Sequence, residues 1–466
     1  MTSQNSSSQE LLNYLKFNGP TLSSELLARF GISRPTLSRR VQELGDAVIT
    51  IGKARATKIA ARLQGFSSAT PLYRVLSNGQ VERIGRLTPI RDGAYTQWLL
   101  ESDSAPTSLF EGEFKEGLYP GWPWFLEDMR PSGFLGREFA KHMAEILQVD
   151  KDPEKWSDLE LLKILDRHGD NLHGNLILGD GNALKAYQES RVKVVDGRYE
   201  DWSHEVYVNL ADLTLREGDE FGSSAGGEQP KFTTLVCDTP EDPPRAVIVK
   251  FSPELDTKSG QRWADLLHAE HLANEVLREA GFETAQTRTF HIEDRVFLES
   301  TRFDRIGPTG RRGLISLRAL DAAHVGMGNG SWADVARRLH VSKWITAEDR
   351  DRMVQLHCFG ELIANTDMHW GNLSFFLPEH SPLPLAPVYD MLPMRFRPSS
   401  TGEVLDRGFA PILPKPEDQA AWLEMYPHAR TYWQRITDHS EITSSFKQIA
   451  EQAIKSIKRI HQVASN

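Results

Sequence analysis

Cysteine is nearly absent from this chain of 466 residues: there are two, Cys237 and Cys358, far apart in sequence. Such a pair excludes a disulfide framework and a cysteine-based zinc site, both of which need clustered thiols. Long apolar runs are missing as well. No stretch approaches the roughly 18 residues needed to cross a bilayer, and Met1 to Ser8 is polar, without the apolar core of a secretory signal. No membrane partner is therefore expected, and the cytoplasm is the expected compartment. With 39% hydrophobic and 25% charged residues, the composition suits a water-soluble globular protein. The length allows two or three domains, each with its own core.

Charge is unevenly spread. Residues 1–64 carry nine basic against four acidic side chains, a net of +5, which leaves −15 for the remainder and −10 overall. Two parts with different partners follow. In the basic part, Leu11, Leu12 and Leu15 recur at helical spacing up to Asn18-Gly19-Pro20. Thr21-Leu22-Ser23-Ser24-Glu25 reads as a capping box for a second helix that Gly31 ends. Ser33 caps a third, running from Thr36 to Gly45. This is helix-turn-helix spacing, with Leu26, Ile32, Leu37 and Val41 joining the helices and Arg34, Thr36, Ser38 and Arg39 facing outward. The run Ala47 to Ile51 followed by Lys53 and Arg55 has the form of a wing whose charges would meet phosphate. DNA is the expected partner of residues 1–65, a dimerisation or docking module being the alternative.

Residues 66–222 form a connector and first lobe. Ser77-Asn78-Gly79-Gln80 is a hairpin signal between strands at 72–76 and 81–85. The aromatic, turn-rich piece from Gly117 to Gly136 reads as a folded loop, and helices are expected from Phe134 to Leu147 and from Asp158 to Arg167. Asp170 precedes Asn175 by five residues and resembles the catalytic loop of aminoglycoside phosphotransferases. Chain order opposes that reading, because a phosphate-gripping loop and its lysine should come first. Residues 168–175 are read as a turn between helix and strand.

The order is right farther on. Ser223-Ser224-Ala225-Gly226-Gly227-Glu228-Gln229-Pro230-Lys231 is a small-residue loop whose backbone N–H groups can approach phosphate oxygens, with Lys231 adding charge. Ala246 to Phe251 is an apolar strand holding one lysine, Lys250, and the helix from Trp263 to Ala280 offers Glu270 as its ion-pair partner. Strands at 287–292 and 295–300 lead to Thr301-Arg302-Phe303-Asp304-Arg305, where a hinge between lobes would meet adenine. Then comes Asn365-Thr366-Asp367-Met368-His369-Trp370-Gly371-Asn372, and after the apolar run 383–389, read as the next strand, a second carboxylate at Asp390. Phosphoryl transfer needs one carboxylate to orient an attacking hydroxyl, and a side-chain oxygen and a second carboxylate to hold Mg²⁺. Asp and Asn are also common in loops for backbone reasons alone; the assembled order gives the pattern its specificity. The last part, 306–466, is helix-rich, with helices expected at 332–339, 346–363, 416–425, 428–436 and 444–463. Arg395 and Arg397 lie just past Asp390, as contacts to a peptide or as surface residues.

Ser224 to Lys231, Lys250, Phe303-Asp304-Arg305, Asn365 to His369 with Asn372, and Tyr389-Asp390 together resemble the HipA family of serine/threonine kinase toxins over most of residues 66–460. The N-terminal helix-turn-helix makes the chain most similar to the YjjJ (HipH) branch. The resemblance implies an α+β, two-lobed HipA/protein-kinase-like fold behind a winged helix-turn-helix: 1–65 for DNA, 66–222 as the first subdomain, 223–305 as the nucleotide-gripping lobe and 306–466 as the helical lobe. It implies ATP and Mg²⁺ as cofactors and Asp367 as catalytic base, with Asn372 and Asp390 on the metal. Gly226, Gly227, Lys231, Lys250, Glu270, Thr301, Phe303, His369 and Tyr389 would complete the nucleotide site, and Ser224 would be autophosphorylated. A protein substrate is implied, with a separate antitoxin and a homodimer as further partners to test. The alternatives left open are a small-molecule phosphotransferase and a DNA-binding regulator whose kinase-like part only binds a ligand.

Overall fold

The amphipathic and β-branched segments assemble, in the computed structural model, around sheets of unequal size. The structure describes residues 2–53, 56–63, 69–93, 95–195, 206–217, 229–239, 242–399, 401–405 and 407–465. The N-terminal part comprises α1 (Thr2–Asn18), β1 (Thr21–Leu22), α2 (Ser23–Phe30), α3 (Arg34–Leu44), β2 (Val48–Ile51) and β3 (Lys58–Ala61). Leu11, Leu15, Leu26, Leu37, Val48 and Ile59 share one core, so the helices close on a three-stranded sheet ordered β1-β3-β2, a winged helix-turn-helix. Ser33 caps α3 as its chemistry predicts, accepting from Thr36 N, and Gly31 ends α2 in the left-handed region at φ 60°. The expected capping box at Thr21–Glu25 does not form. Thr21 and Leu22 pair with Ile59 and Lys58 instead, which holds Thr21 in a strand and leaves Leu22, with no side-chain acceptor, as the N-cap.

The middle part carries β4 (Thr70–Val75), β5 (Val81–Asp92), β6 (Tyr95–Ser102), β7 (Leu118–Pro120), α4 (Gly133–Leu147), α5 (Asp158–His168), β8 (Leu176–Leu178) and α6 (Asn182–Val195). Its five strands run in the order β7-β6-β5-β4-β8, with Gly79 at φ 76° making the β4–β5 turn. Residues 168–175 do connect a helix to a strand, α5 to β8.

The next lobe holds α7 (Val206–Glu217), β9 (Lys231–Val236), β10 (Arg245–Phe251), α8 (Lys258–Glu279), β11 (Thr287–Ile292) and β12 (Arg295–Thr301). The antiparallel sheet has the order β11-β12-β10-β9. Its two faces follow from strand alternation. Phe232, Val236, Val247, Val249, Phe251 and Phe297 face one way and pack under Tyr207 and Ala211 of α7. A boundary at residue 222 therefore separates α7 in sequence from the sheet it covers. Lys231, Thr233, Ala246, Ile248 and Lys250 face the other way, toward the cleft.

The helical lobe follows a hairpin of β13 (Arg305–Ile306) and β14 (Gly310–Arg311). It comprises β15 (Leu314–Ser316), α9 (Leu317–His324), α10 (Trp332–Val341), α11 (Ala347–Leu362), β16 (Ser374–Phe376), α12 (Gln419–Asp438) and α13 (Ser444–Ala464). The two helices expected at 416–425 and 428–436 are one, with Pro427 inside. Proline removes one backbone hydrogen bond, but Trp422 and Met425 on one side of it and Tyr432 and Trp433 on the other are buried in the same core, and their packing holds both halves in line. Among the described residues, no helix is long and apolar enough to cross a membrane.

Candidate active site

Lys250 sits near the C-terminal end of β10 with 6% of its surface exposed, and strand alternation turns it into the cleft. A buried ammonium needs partners. It has two: both carboxylate oxygens of Glu270 on α8 at 2.7 Å, and Asp390 Oδ1 at 2.6 Å. Burial pulls the Lys250 ammonium down, but Asp390 and Glu270 outweigh it and the group is held charged, above its ordinary value. The two carboxylates are pushed apart. Burial raises Glu270 against the pull of Lys250, with Asp390 adding repulsion. Burial raises Asp390 as well, yet Lys250, Lys231 and His369 bring it down to about 2. Divergent environments of this kind assign roles to paired carboxyls. Asp390 is the permanent anion, and Glu270 holds the lysine.

A left-handed residue delivers the loop. At the end of α11, Ala364 adopts φ 61°, with Ala364 N donating to Glu361 O and Asn365 N to Gly360 O, the bonds of a helix-terminating Schellman turn. Asn365, 4% exposed, accepts from Asp367 N on its Oδ1 at 3.0 Å and so orients the Asp367 backbone. Asn372 Nδ2 donates to Asp367 O at 2.9 Å, which closes the loop and leaves the amide oxygen as its other polar atom. Trp332 Nε1 donates to His369 O, Trp370 Nε1 to Gly330 O, and Tyr389 OH to Gly371 O at 2.7 Å. Tyr389 thus fastens the loop to the segment bearing Asp390. His369 is exposed and accepts from Gly371 N on Nδ1 at 3.0 Å.

The run 383–389, expected as a strand, is not one. Pro384 and Pro387 lack the N–H groups a ladder requires, so the segment is held by isolated bridges, Phe375 with Leu385 and Thr284 with Val388. Ala386 N donates to Ser374 O, and Ala285 N to Val388 O. The stitching ends at Asp390, which itself has φ 54°. Positive φ at a non-glycine residue costs energy and is retained where the surroundings force it.

The other expected residues fall as follows. Lys231 opens β9 in register with Lys250 and shares its sheet face. Phe303 at the hinge lies 5.8 Å, ring to ring, from Tyr389. Thr301 points to the far sheet face, where its hydroxyl accepts from Arg245 at 3.2 Å, so only its backbone is available to a nucleotide. Gly226, Gly227, Ser223 and Ser224 lie outside the described residues, as does Arg55. In the winged helix, Arg34, Ser38, Arg39 and Lys53 are exposed, Arg39 lies 3.7 Å from Glu43, and the Thr36 hydroxyl is tied to Ser33 at 3.0 Å. Sequence reasoning missed a brace beneath the hinge. Asp304, 4% exposed, binds Arg302 and Arg305 and accepts from Gly174 N, while both arginines donate to Leu172 O. The turn at 168–175 therefore anchors the hinge to the middle part. The signal was four arginines within 302–312 around one aspartate. Thr233, Leu235, Ala246, Arg302 and Arg311 line a cavity of about 210 Å³ beside the hinge, closed on its other side by Asp170 and Tyr187 of the middle part.

Two lobes, a buried lysine–glutamate pair under a β-sheet and a braced carboxylate loop opposite define a kinase-type phosphotransferase fold. Comparison with known proteins agrees. Residues 66–188 match the family model of the YjjJ-like toxin middle domain, and residues 223–463 that of the HipA-like C-terminal domain. The chain is 34% identical to Toxin YjjJ of Escherichia coli (strain K12) over 456 residues, 97% of this chain and 98% of that one. A chain from the HipA, HipB and operator DNA complex of Shewanella oneidensis MR-1 superposes with a TM-score of 0.51 at 17% identity, covering 85% of this chain and 99% of that one. The protein belongs to the HipA family of toxin kinases, in its YjjJ-like branch.

Proposed function

We propose that this protein is an ATP- and Mg²⁺-dependent serine/threonine protein kinase with a fused DNA-binding module, acting in the cytoplasm. The observation that carries the reading is Lys250 held between Glu270 and Asp390 in front of the Asn365–Asn372 loop. Asp390, kept ionised, and the Asn372 amide oxygen are the hard oxygen donors that suit Mg²⁺. Bound there, the ion would neutralise phosphate charge. Lys250 would exchange Asp390 for the α- and β-phosphates while Glu270 keeps hold of it, and Lys231 would add charge at the loop. Asp367 would accept the proton of a serine or threonine hydroxyl as its oxygen bonds to the γ-phosphorus and the bond to the β-phosphate oxygen breaks, releasing ADP. Ser224, beside Gly226 and Gly227, is the proposed autophosphorylation site, since a second phosphate there would repel those of ATP.

Arg34, Thr36, Ser38, Arg39, Lys53 and Arg55 are the proposed DNA contacts. The HipA neighbour was solved with HipB and operator DNA, and a separate antitoxin or a second copy of this chain would be detected by co-purification. Labelled ATP with Mg²⁺ tests the activity. Label on serine or threonine of protein supports the reading; label on a metabolite, or binding without transfer, refutes it. Asp367→Asn should retain ATP affinity and cut transfer on the order of 10²-fold or more. Full activity in that variant would remove Asp367 from the mechanism.

A further inference from the structure

Outside the cleft, the described residues include one group of three metal-ligating side chains: His268 on α8 and His439 and Glu441 in the turn between α12 and α13. His268 is 2% exposed, and an imidazole so buried ordinarily satisfies both ring nitrogens. Here neither has a hydrogen bond. Nδ1 has no partner among the described residues, and Nε2 stands 3.6 Å from Glu441 Oε2, an ion-pair contact beyond hydrogen-bond length. The His439 ring centroid lies 4.8 Å from that of His268, tilted by 41°. One donor atom from each of the three residues falls within 4.8 Å of the others.

We propose that His268, His439 and Glu441 bind a divalent late first-row transition-metal ion of the Zn²⁺ type, a site separate from the nucleotide cleft. Donor chemistry selects the ion: two imidazoles and one carboxylate suit Zn²⁺, Co²⁺ or Ni²⁺, whereas Mg²⁺ and Ca²⁺ prefer all-oxygen shells. The spacing fits too. Metal–donor bonds of about 2.0–2.2 Å at tetrahedral angles place donors about 3.3 Å apart, so the His268–Glu441 edge at 3.6 Å needs almost no movement. The outer edge must contract, and the long bond that His439 Nδ1 accepts from Glu441 N, 3.3 Å, would be exchanged for the metal. The platform is already fixed. Two residues past Glu441, Thr443 donates its N–H and hydroxyl to Asp265 of α8 at 2.8 and 2.7 Å.

The site has a consequence for α8. His268 lies two residues before Glu270, about 200° around the helix, so the ion would tie the side of α8 opposite the Lys250 pair to the helical lobe. The test uses the full-length chain without an affinity tag, stripped by chelator and titrated with Zn²⁺ by calorimetry in excess Mg²⁺, which occupies oxygen-rich sites. Expected are one tight Zn²⁺ per chain, a rise in unfolding temperature, and a four- or five-coordinate visible spectrum on Co²⁺ loading. His439→Gln and Glu441→Gln, both in the surface turn, should each weaken binding on the order of 10-fold or more, with the unloaded unfolding temperature unchanged. His291→Gln, on β11, should leave binding unchanged. Equal Zn²⁺ affinity in the wild type and the His439→Gln/Glu441→Gln double variant would overturn the assignment, and so would a Co²⁺ spectrum indifferent to those substitutions. None of these readouts depends on phosphotransfer.

Discussion

Replacing Lys250 with methionine removes the cation from the centre of the cleft while keeping most of its volume. The side chains of Lys250 and Glu270 are 8% and 3% exposed, and the ammonium touches Glu270 at 2.7 Å and Asp390 at 2.6 Å. The two carboxylates can thus be no farther apart than about 5 Å. At an effective dielectric constant of about 20, two like charges at that distance repel by about 3 kcal/mol, comparable to the 3–5 kcal/mol typical of breaking a buried pair. Protonation limits the loss. Burial already pushes the Glu270 carboxyl upward, and about 3 kcal/mol of added repulsion is worth about two further pKa units. In Lys250→Met the folded-state pKa of Glu270 then lies above its unfolded value, so the folded chain binds the proton more tightly and stability rises as pH falls through that pKa. Urea unfolding followed by tryptophan fluorescence should show a loss of about 3 kcal/mol at pH 8, shrinking toward pH 5.5. Lys250→Met/Glu270→Gln should recover roughly 1–3 kcal/mol of it and lose the pH dependence. A single variant whose pH profile parallels the wild type, with no recovery in the double variant, would refute the charge account of this site.

Asp390, held at about 2 against an ordinary 3.8, contributes stability that is fully present above its unfolded pKa and is lost as pH falls from about 4 to 2. Asp390→Asn should flatten that acid limb by about 2 kcal/mol, and an unchanged acid transition would count against it. Ala364, at φ 61° and 4% exposed, occupies a position suited to glycine; Ala364→Gly should stabilise the protein by about 1 kcal/mol, read as a higher urea midpoint, and a lower one would contradict the strain. Arg34→Ala with Arg39→Ala should weaken DNA binding and reduce the slope of log affinity against log salt by about 0.9 for each phosphate no longer neutralised. Lys250→Met should leave both unchanged, and salt-independent binding would count against the winged-helix interface.

The Lys250–Glu270 pair was legible because a lone lysine in an apolar strand followed by a glutamate-bearing helix has few other solutions. Asp367, Asn372 and Asp390 were legible by order, since each alone is ordinary loop chemistry. What sequence misjudged was competition between local signals and tertiary partners. Thr21 has cap chemistry, yet a strand 37 residues on, beginning at Lys58, pairs with it. Pro427 signals a break, yet four aromatic and aliphatic side chains hold the helix together. The apolar run before Asp390 had strand composition but two prolines in the ladder. Not legible was the brace around Asp304: its donor Gly174 N, and the Leu172 carbonyl that its partner Arg302 reaches, lie about 130 residues earlier in the chain.

The winged helix shows a further case in which the second face of a strand decides the architecture. Val48 points into the helix-turn-helix core, whereas Ile49 and Ile51 point the other way; Ile59 and Ala61 alternate with Ala60 in the same manner. The outward set is buried against Ile90 and Leu99 of β5 and β6. A sheet covered on both faces carries continuous apolar residues rather than alternation, which accounts for the run Ala47-Val48-Ile49 that a solvent-facing wing would not need. Hydrogen bonds reinforce the seam: Leu63 N donates to Pro89 O and Gly93 N to Lys16 O, each at 3.0 Å, while Lys58 Nζ pairs with Glu116 at 2.6 Å. Lys58 thereby ties β3 to the middle part. Fully burying an isoleucine stabilises by about 1.5–3 kcal/mol, so separating the module would expose Ile49, Ile51 and Ile90 at a cost comparable to the stability of a small domain. Helix α3 is therefore mounted, through the winged-helix sheet, on the five-stranded sheet. Through β8, that sheet continues into the turn that braces the hinge at Asp304.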